Sequence, residues 1–179
     1  KQAHAMAAAD VERFKETLES TLRLMIVATL PAMVWLIALS QPIVALLFEH
    51  GRFGPGDTVQ TAGALTMYAL GVPAAAGVNV MVGAFYALDA PWLAVRASVV
   101  AVLVNVALNL LFVGPLAFLG LGHRALALST SVAAAVNLLL LLLGIRRRVG
   151  RFGGRRVLDS ALRAAAAAVL AGSVCAAAL

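Results

Sequence analysis

Five long apolar stretches, separated by short polar connections, take up nearly all of the 179 residues: Leu24–Phe48, Thr61–Leu88, Trp92–Gly114, Ala125–Ile145 and Val157–Leu179. A helix needs about 20 apolar residues to cross the hydrocarbon core of a bilayer, and each stretch has that length. The first, second and fourth contain no Asp, Glu, Lys or Arg. Apolar residues make up 63% of the chain, against about 45–50% in water-soluble domains. A chain of this size in water has nowhere to bury that much apolar surface. The fold class is therefore all-α: a polytopic transmembrane bundle of five spans.

The net charge of +6 raises nucleic acid as a partner, but the placement of the cations excludes it. Six arginines crowd into one connection, Arg146 to Arg156, beside a span. Basic residues in that position set topology and contact anionic lipid. If the spans alternate direction, twelve of the fourteen Lys and Arg fall on one side of the bilayer, leaving only Arg52 and Arg124 on the other. The positive-inside rule then puts the N-terminal segment in the cytoplasm and the connections at 49–60 and 113–124 outside. The single cysteine, Cys175, permits no intrachain disulfide.

The chain divides into a cytoplasmic amphipathic lead-in helix (1–23), four spans (24–145), a basic cytoplasmic loop (146–157) and a fifth span (158–179). In the lead-in, Val11, Phe14, Leu18 and Leu22 form a stripe at helical spacing. Asp10 is placed to cap it, and Glu19 is placed to pair with Arg23 four residues on. The chain opens without methionine and ends inside an apolar helix, so we expect a piece of a longer protein.

Proline and glycine punctuate two spans: Pro31 and Pro42 in the first, and Gly63, Gly71, Pro73, Gly77 and Gly83 in the second. Proline removes one backbone bond and kinks a helix, and in a membrane the freed carbonyl needs another partner. Such residues serve either close packing or hinging. The polar side chains at membrane depth are Asn79, Asn105, Asn109, Ser129, Thr130, Ser131 and Asn137. Most such groups are interhelical glue. Asn105 and Asn109, four apart on one helix face, carry two amide oxygens that, with a hydroxyl such as Thr130, suit a hard cation.

The segment Phe48-Glu-His-Gly-Arg-Phe-Gly-Pro-Gly-Asp-Thr58 reads as a tight turn. Asp57 or Thr58 is available to cap the helix that follows, and Glu49 to pair with Arg52. His50 and His123 are lone loop histidines. Asp89 reads as a turn former ahead of Pro91. No phosphate-binding glycine loop, paired-cysteine zinc pattern or nucleophile elbow is present in the sequence.

Several segments together resemble the MurJ/MviN family of lipid II flippases, within the multidrug/oligosaccharidyl-lipid/polysaccharide exporter superfamily. They are ETLESTLRLMIVATLPAMVWLIALSQPIVALLFEHGRF, with its Phe48-x-x-Gly51-x-Phe53 loop, ALTMYALGVPAAAGVNVMVGAFYAL, VNVALNLLFVGPL and GHRALALSTSVAAAVNLLLLL. They keep the family's order and spacing over about residues 12–148. The sequence departs from the family pattern after Leu88, where Asp89 comes one position early and Trp92-Leu93-Ala94 replaces a Thr-Pro end. It also has Ala125 where glycine is usual.

The resemblance implies spans nine to thirteen of a two-lobe, fourteen-helix transporter of the bacterial cytoplasmic (inner) membrane, its N-terminal half absent from this chain. It implies alternating-access flipping of a lipid-linked peptidoglycan precursor, with no catalytic residue. It places Arg146, Arg147, Arg148 and Arg151 at the lipid headgroups. It also implies a partial sodium site at Asn105, Asn109 and Thr130, with the Leu126 carbonyl. Two alternatives stay open: an exporter of drugs or other lipid-linked sugars from the same superfamily, and a polyprenyl-phosphate membrane enzyme. The implied partners are the precursor, membrane lipids and the missing half.

Overall fold

The computed structural model describes residues 2–115, 122–150 and 154–177. Seven helices and no strand occur among them: α1 (Gln2–Ala38), α2 (Ser40–Phe48), α3 (Pro55–Ala69), α4 (Val72–Ala87), α5 (Pro91–Val113), α6 (His123–Val149) and α7 (Gly154–Ala177). Among the described residues, four stretches are long and apolar enough to cross a membrane: Asp10–Ala38, Pro55–Ala87, Pro91–Val113 and His123–Val149. The fifth expected span falls on α7, whose following residues, Ala178 and Leu179, lie outside the described set.

The first two spans differ from their sequence reading in where they break. Pro31 sits inside α1 without interrupting it. The interruption comes at Leu39, just ahead of Ser40 and the first turn of α2, where Pro42 stands. The second span starts earlier than expected, at Pro55, and breaks at Leu70–Gly71, so that Pro73 lies in the first turn of α4. Proline is tolerated in a first turn because the N–H it lacks has no helical partner there anyway. At about 1.5 Å per residue, neither α3 nor α4 alone spans about 30 Å of hydrocarbon, but the two in series do.

The lead-in helix is continuous with the first span, because α1 starts at Gln2 and leaves Asp10 in its interior rather than at its cap. Along its stripe, Leu18 and Leu22 are buried while Val11 is exposed. Arg23 does not turn back to Glu19; its Nε donates to Ser160 Oγ on α7 at 2.9 Å, tying the two helices. The basic loop is shorter than expected. α6 continues through Arg146, Arg147 and Arg148 to Val149, and α7 resumes at Gly154. Nothing before Gly150 stops the helix, and that glycine closes it at φ 85°. Three cations in the last turn also complement the negative end of the helix dipole.

α6 is the axis of the bundle, packed against α3, α4 and α5, while α1 packs on α7, α4 and α3. The main core lies toward the arginine-rich end. Leu18 and Leu22 of α1, Met81 and Phe85 of α4, Ala94 and Ala97 of α5, and Leu141 and Ile145 of α6 meet there. Asp89 adopts φ 50° in the turn between α4 and α5, a left-handed conformation that Asp accepts better than most residues.

Candidate functional site

The polar side chains gather into a seam between α5 and α6. Asn105 and Asn109 stand one turn apart on α5, so both present to the same neighbour. Asn109 Nδ2 donates to Asn105 Oδ1 at 2.8 Å, and Asn105 Nδ2 donates to Thr130 Oγ1 at 3.3 Å. Ser129, with no exposed surface, donates to Asn109 Oδ1. Ser129 Oγ also lies 2.8 Å from the Leu126 carbonyl, and Thr130 Oγ1 donates to the same carbonyl at 3.1 Å. The three residues expected to cooperate, Asn105, Asn109 and Thr130, are therefore together. Ser129 completes them: in the sequence it stands out only as one of three consecutive hydroxyl residues, and its depth is decided by packing.

Five oxygens from two helices converge in this seam, a donor set of the kind that hard cations take. None carries a formal charge. Each side-chain oxygen is engaged by an N–H or O–H within the seam or makes its own bond there. As folded, the seam is a closed hydrogen-bond chain, and a cation entering it competes with the N–H and O–H donors already on these oxygens. Further along the same helices, Asn137 Nδ2 reaches Ser98 Oγ at 3.4 Å, while Asn137 Oδ1 is buried without a partner. Asn79, by contrast, is exposed on α4.

The loop motif lies at one end of the bundle. Gly51 takes φ 65°, which turns the chain so that the Phe48 and Phe53 rings approach to 6.1 Å between centroids. Glu49 does not pair with Arg52; its carboxylate accepts the Thr58 hydroxyl at 2.7 Å. Asp57 acts from the first turn of α3 rather than as its cap, accepting the Gly54 N–H at 3.0 Å. A cavity of about 610 Å³ opens beside this loop, lined by Arg52, Phe53, Asp57, Gln60, Thr61 and His123. His50 is exposed in the loop.

The arginines lie at the other end. From His123 to Arg146 along α6 is about 35 Å at helical rise. Arg146, Arg147 and Arg148 are all exposed, and Arg151 lies outside the described residues. An apolar cavity of about 620 Å³ between α1, α4, α6 and α7 is lined by Met25, Leu30, Pro73, Leu138 and Leu142 among others, with Arg146 at its edge. The sequence-predicted residues thus occupy three separate places: a mid-bundle seam, a loop at one end and a cationic rim at the other.

The family model described as lipid II flippase MurJ matches residues 2–179. A probable lipid II flippase MurJ of Buchnera aphidicola is 32% identical over 128 residues, covering 72% of this chain and 24% of that protein. The lipid II flippase MurJ of Thermosipho africanus is 31% identical over 137 residues, covering 76% of this chain and 28% of its own length. Among solved structures, a lipid II flippase MurJ in an inward closed conformation superposes with a TM-score of 0.73 at 28% identity. That superposition covers 91% of this chain and 33% of the other. The chain spans about a quarter of the length of the curated relatives it matches.

Proposed function

The chain belongs to the MurJ family of lipid II flippases, and from that premise we propose that it serves as a later part of a transporter that carries a lipid-linked peptidoglycan precursor across the bacterial cytoplasmic membrane. The observation that carries the reading is the continuous match: one family model over residues 2–179 and one solved flippase over 91% of the chain. Such a protein moves its cargo by alternating access and makes or breaks no bond. The family match favours this cargo over drugs or other lipid-linked sugars.

Within that function, the apolar cavity between α1, α4, α6 and α7 suits a polyprenyl tail. Its lining is aliphatic apart from Arg146, whose guanidinium would meet the headgroup. Arg147 and Arg148 extend the cationic rim, each contributing about 1 kcal/mol toward anionic lipid. We place the N-terminus and this rim in the cytoplasm, on the strength of twelve cations against two. A sodium ion coupled to transport would take the Asn105 and Asn109 oxygens, Thr130 Oγ1 and the Leu126 carbonyl, at the cost of the seam's own bonds.

The test is depletion of the full-length protein in its own cells, followed by measurement of precursor accessible on each leaflet. Precursor should accumulate on the inner leaflet and recover on re-expression. Unchanged precursor distribution overturns the proposal.

A further inference from the structure

Of the fourteen Lys and Arg, only Arg52 and Arg124 fall on the side of the bundle that carries the connections 49–60 and 113–124. They are far apart in sequence, yet the fold brings both to the same cavity of about 610 Å³. Arg52 lines it from the loop, and His123 lines it from the first turn of α6. Arg124 follows His123, and its guanidinium lies against Gly63 of α3, where a Cβ would come within 2.1 Å of Nε. Gly63 stands on the same face of α3 as Gln60 and Ala64, which line the cavity, so the Arg124 guanidinium borders its inner part.

These donors are largely unspent. Among the described residues, the Arg52 and His123 side chains have no hydrogen bond or ion pair. Arg124 makes one bond, to the Val59 carbonyl at 3.3 Å, from a guanidinium that carries five N–H donors. Two acids stand at this end, and neither forms an ion pair with these arginines. Asp57, the acid of the lining, accepts the Gly54 N–H at 3.0 Å. Glu49, outside the lining, accepts the Thr58 hydroxyl at 2.7 Å. The connection 113–122 contains no Asp or Glu. α3 and α6 both begin at this end, and helix N-termini add positive potential. The cavity thus offers an anion two guanidiniums and an imidazole, with both carboxylates already engaged in the loop.

Its floor is of a different kind. Phe53 and Ala64 also line the cavity, and Ala64 lies inside the uncharged run that begins at Thr61. From Pro55 to Ala64 the helix rises about 14 Å, more than the roughly 5–7 Å that headgroups occupy on each side of the hydrocarbon core. The cavity therefore begins among headgroups and ends among acyl chains. A free anion has no use for that apolar depth, whereas a lipid has. We propose that this cavity holds one anionic phospholipid, its phosphate on Arg52, His123 and Arg124 and the start of its chains on Phe53 and Ala64. Gln60 and Thr61, exposed between the two levels, offer an amide and a hydroxyl at the depth of the ester carbonyls. The site lies at the opposite end of α6 from Arg146, and it rests on the membrane-spanning fold, not on the cargo.

The experiment uses the full-length protein in phosphatidylcholine nanodiscs doped with a phosphatidylglycerol that carries a photoreactive group at the head of one chain. Adducts mapped by peptide mass spectrometry should fall on residues 52–64 and 123–124. Arg52→Gln should lower their yield about fivefold, and Arg52→Gln with Arg124→Gln about thirtyfold, the loss of one and of two cations at a lipid surface. Arg52→Lys keeps the charge and should stay within about twofold of wild type. Adducts near Arg146–Arg148 should not change, which shows that the variants are folded. If the double variant does not accumulate, Arg52→Gln against Arg52→Lys decides alone. Wild-type protein without adducts on these segments, or yields that ignore the loss of charge, overturn the site. Inorganic pyrophosphate in the bath has the phosphate chemistry without the chains and should leave the adducts in place; their displacement overturns the lipid in favour of a free anion. Equal yields from a photoreactive phosphatidylcholine overturn the anionic headgroup. Failure of the precursor assay with these adducts as expected would refute the proposed function and leave the lipid site standing.

Discussion

Gly144 of α6 lies against the ring of Phe85 on α4: a Cβ built at Gly144 would come within 3.2 Å of Phe85 Cζ. Phe85 is 1% exposed and sits in the main core with Leu18, Leu22, Met81 and Leu141. The absent side chain lets the two helices approach over an aromatic ring that has no room to retreat.

This contact sets the first prediction. Gly144→Ala gains roughly 0.5–1 kcal/mol of helix propensity but must push a boxed-in ring, and the two nearly cancel. Gly144→Val adds methyl groups with nowhere to go and should destabilise by about 1–3 kcal/mol. Combining it with Phe85→Leu should restore part of that loss, because the two sites share one space. Thermal unfolding of the full-length protein in detergent measures all three. A Gly144→Val midpoint equal to wild type refutes the contact.

Two other glycines should differ in how far they tolerate alanine. At Gly63 a Cβ would meet the guanidinium of Arg124, 2.1 Å from Nε. That group is the far end of a flexible side chain and loses only its 3.3 Å bond to the Val59 carbonyl when it swings away. At Gly71 the obstacle includes the Ser131 backbone. Gly63→Ala should therefore change stability by less than about 1 kcal/mol, and Gly71→Ala should cost about 1–3 kcal/mol. The same unfolding assay ranks them, and the reverse order sinks the argument.

In the seam, Asn109 stands between Asn105 and Ser129. Asn109→Ala leaves the buried Ser129 hydroxyl only the Leu126 carbonyl and removes a donor from Asn105, so it should cost about 0.6–2 kcal/mol. Thr130→Ala, at an exposed position, should cost less. Replacing sodium by choline separates glue from cation site. If sodium binds the seam, it raises the wild-type midpoint and leaves Asn109→Ala unmoved. Equal midpoints in the two salts for wild type remove the cation.

Orientation is checked by single cysteines placed in a Cys175→Ala background. A cysteine at His50 should react with a membrane-impermeant thiol reagent added to intact cells whose outer envelope is permeabilised. A cysteine at Asp89 or Arg148 should react only after the cytoplasmic membrane is opened. The opposite pattern would invert the topology drawn from the cation count.

Much of the architecture was legible in one dimension, because spanning a bilayer demands long charge-poor helices and the chain shows them plainly. The expected span 92–114 and α5 differ by a single residue at each end. The Asn105–Asn109 pairing followed from helical spacing alone. The expected pairs Glu19–Arg23 and Glu49–Arg52 did not form: sequence proximity offers charged groups each other, but the fold offered Ser160 to Arg23 and Thr58 to Glu49.

Hydropathy and local spacing, each a property of residues near one another in the chain, determined the spans and the face shared by the two asparagines. Tertiary structure decided where the spans break and which polar groups meet. Proline or glycine can interrupt a helix at many positions, and the break at Leu70–Gly71 falls where another helix supplies the missing donor. Ser131 supplies it to Met67 from 64 residues away in sequence, a relationship that no local pattern encodes.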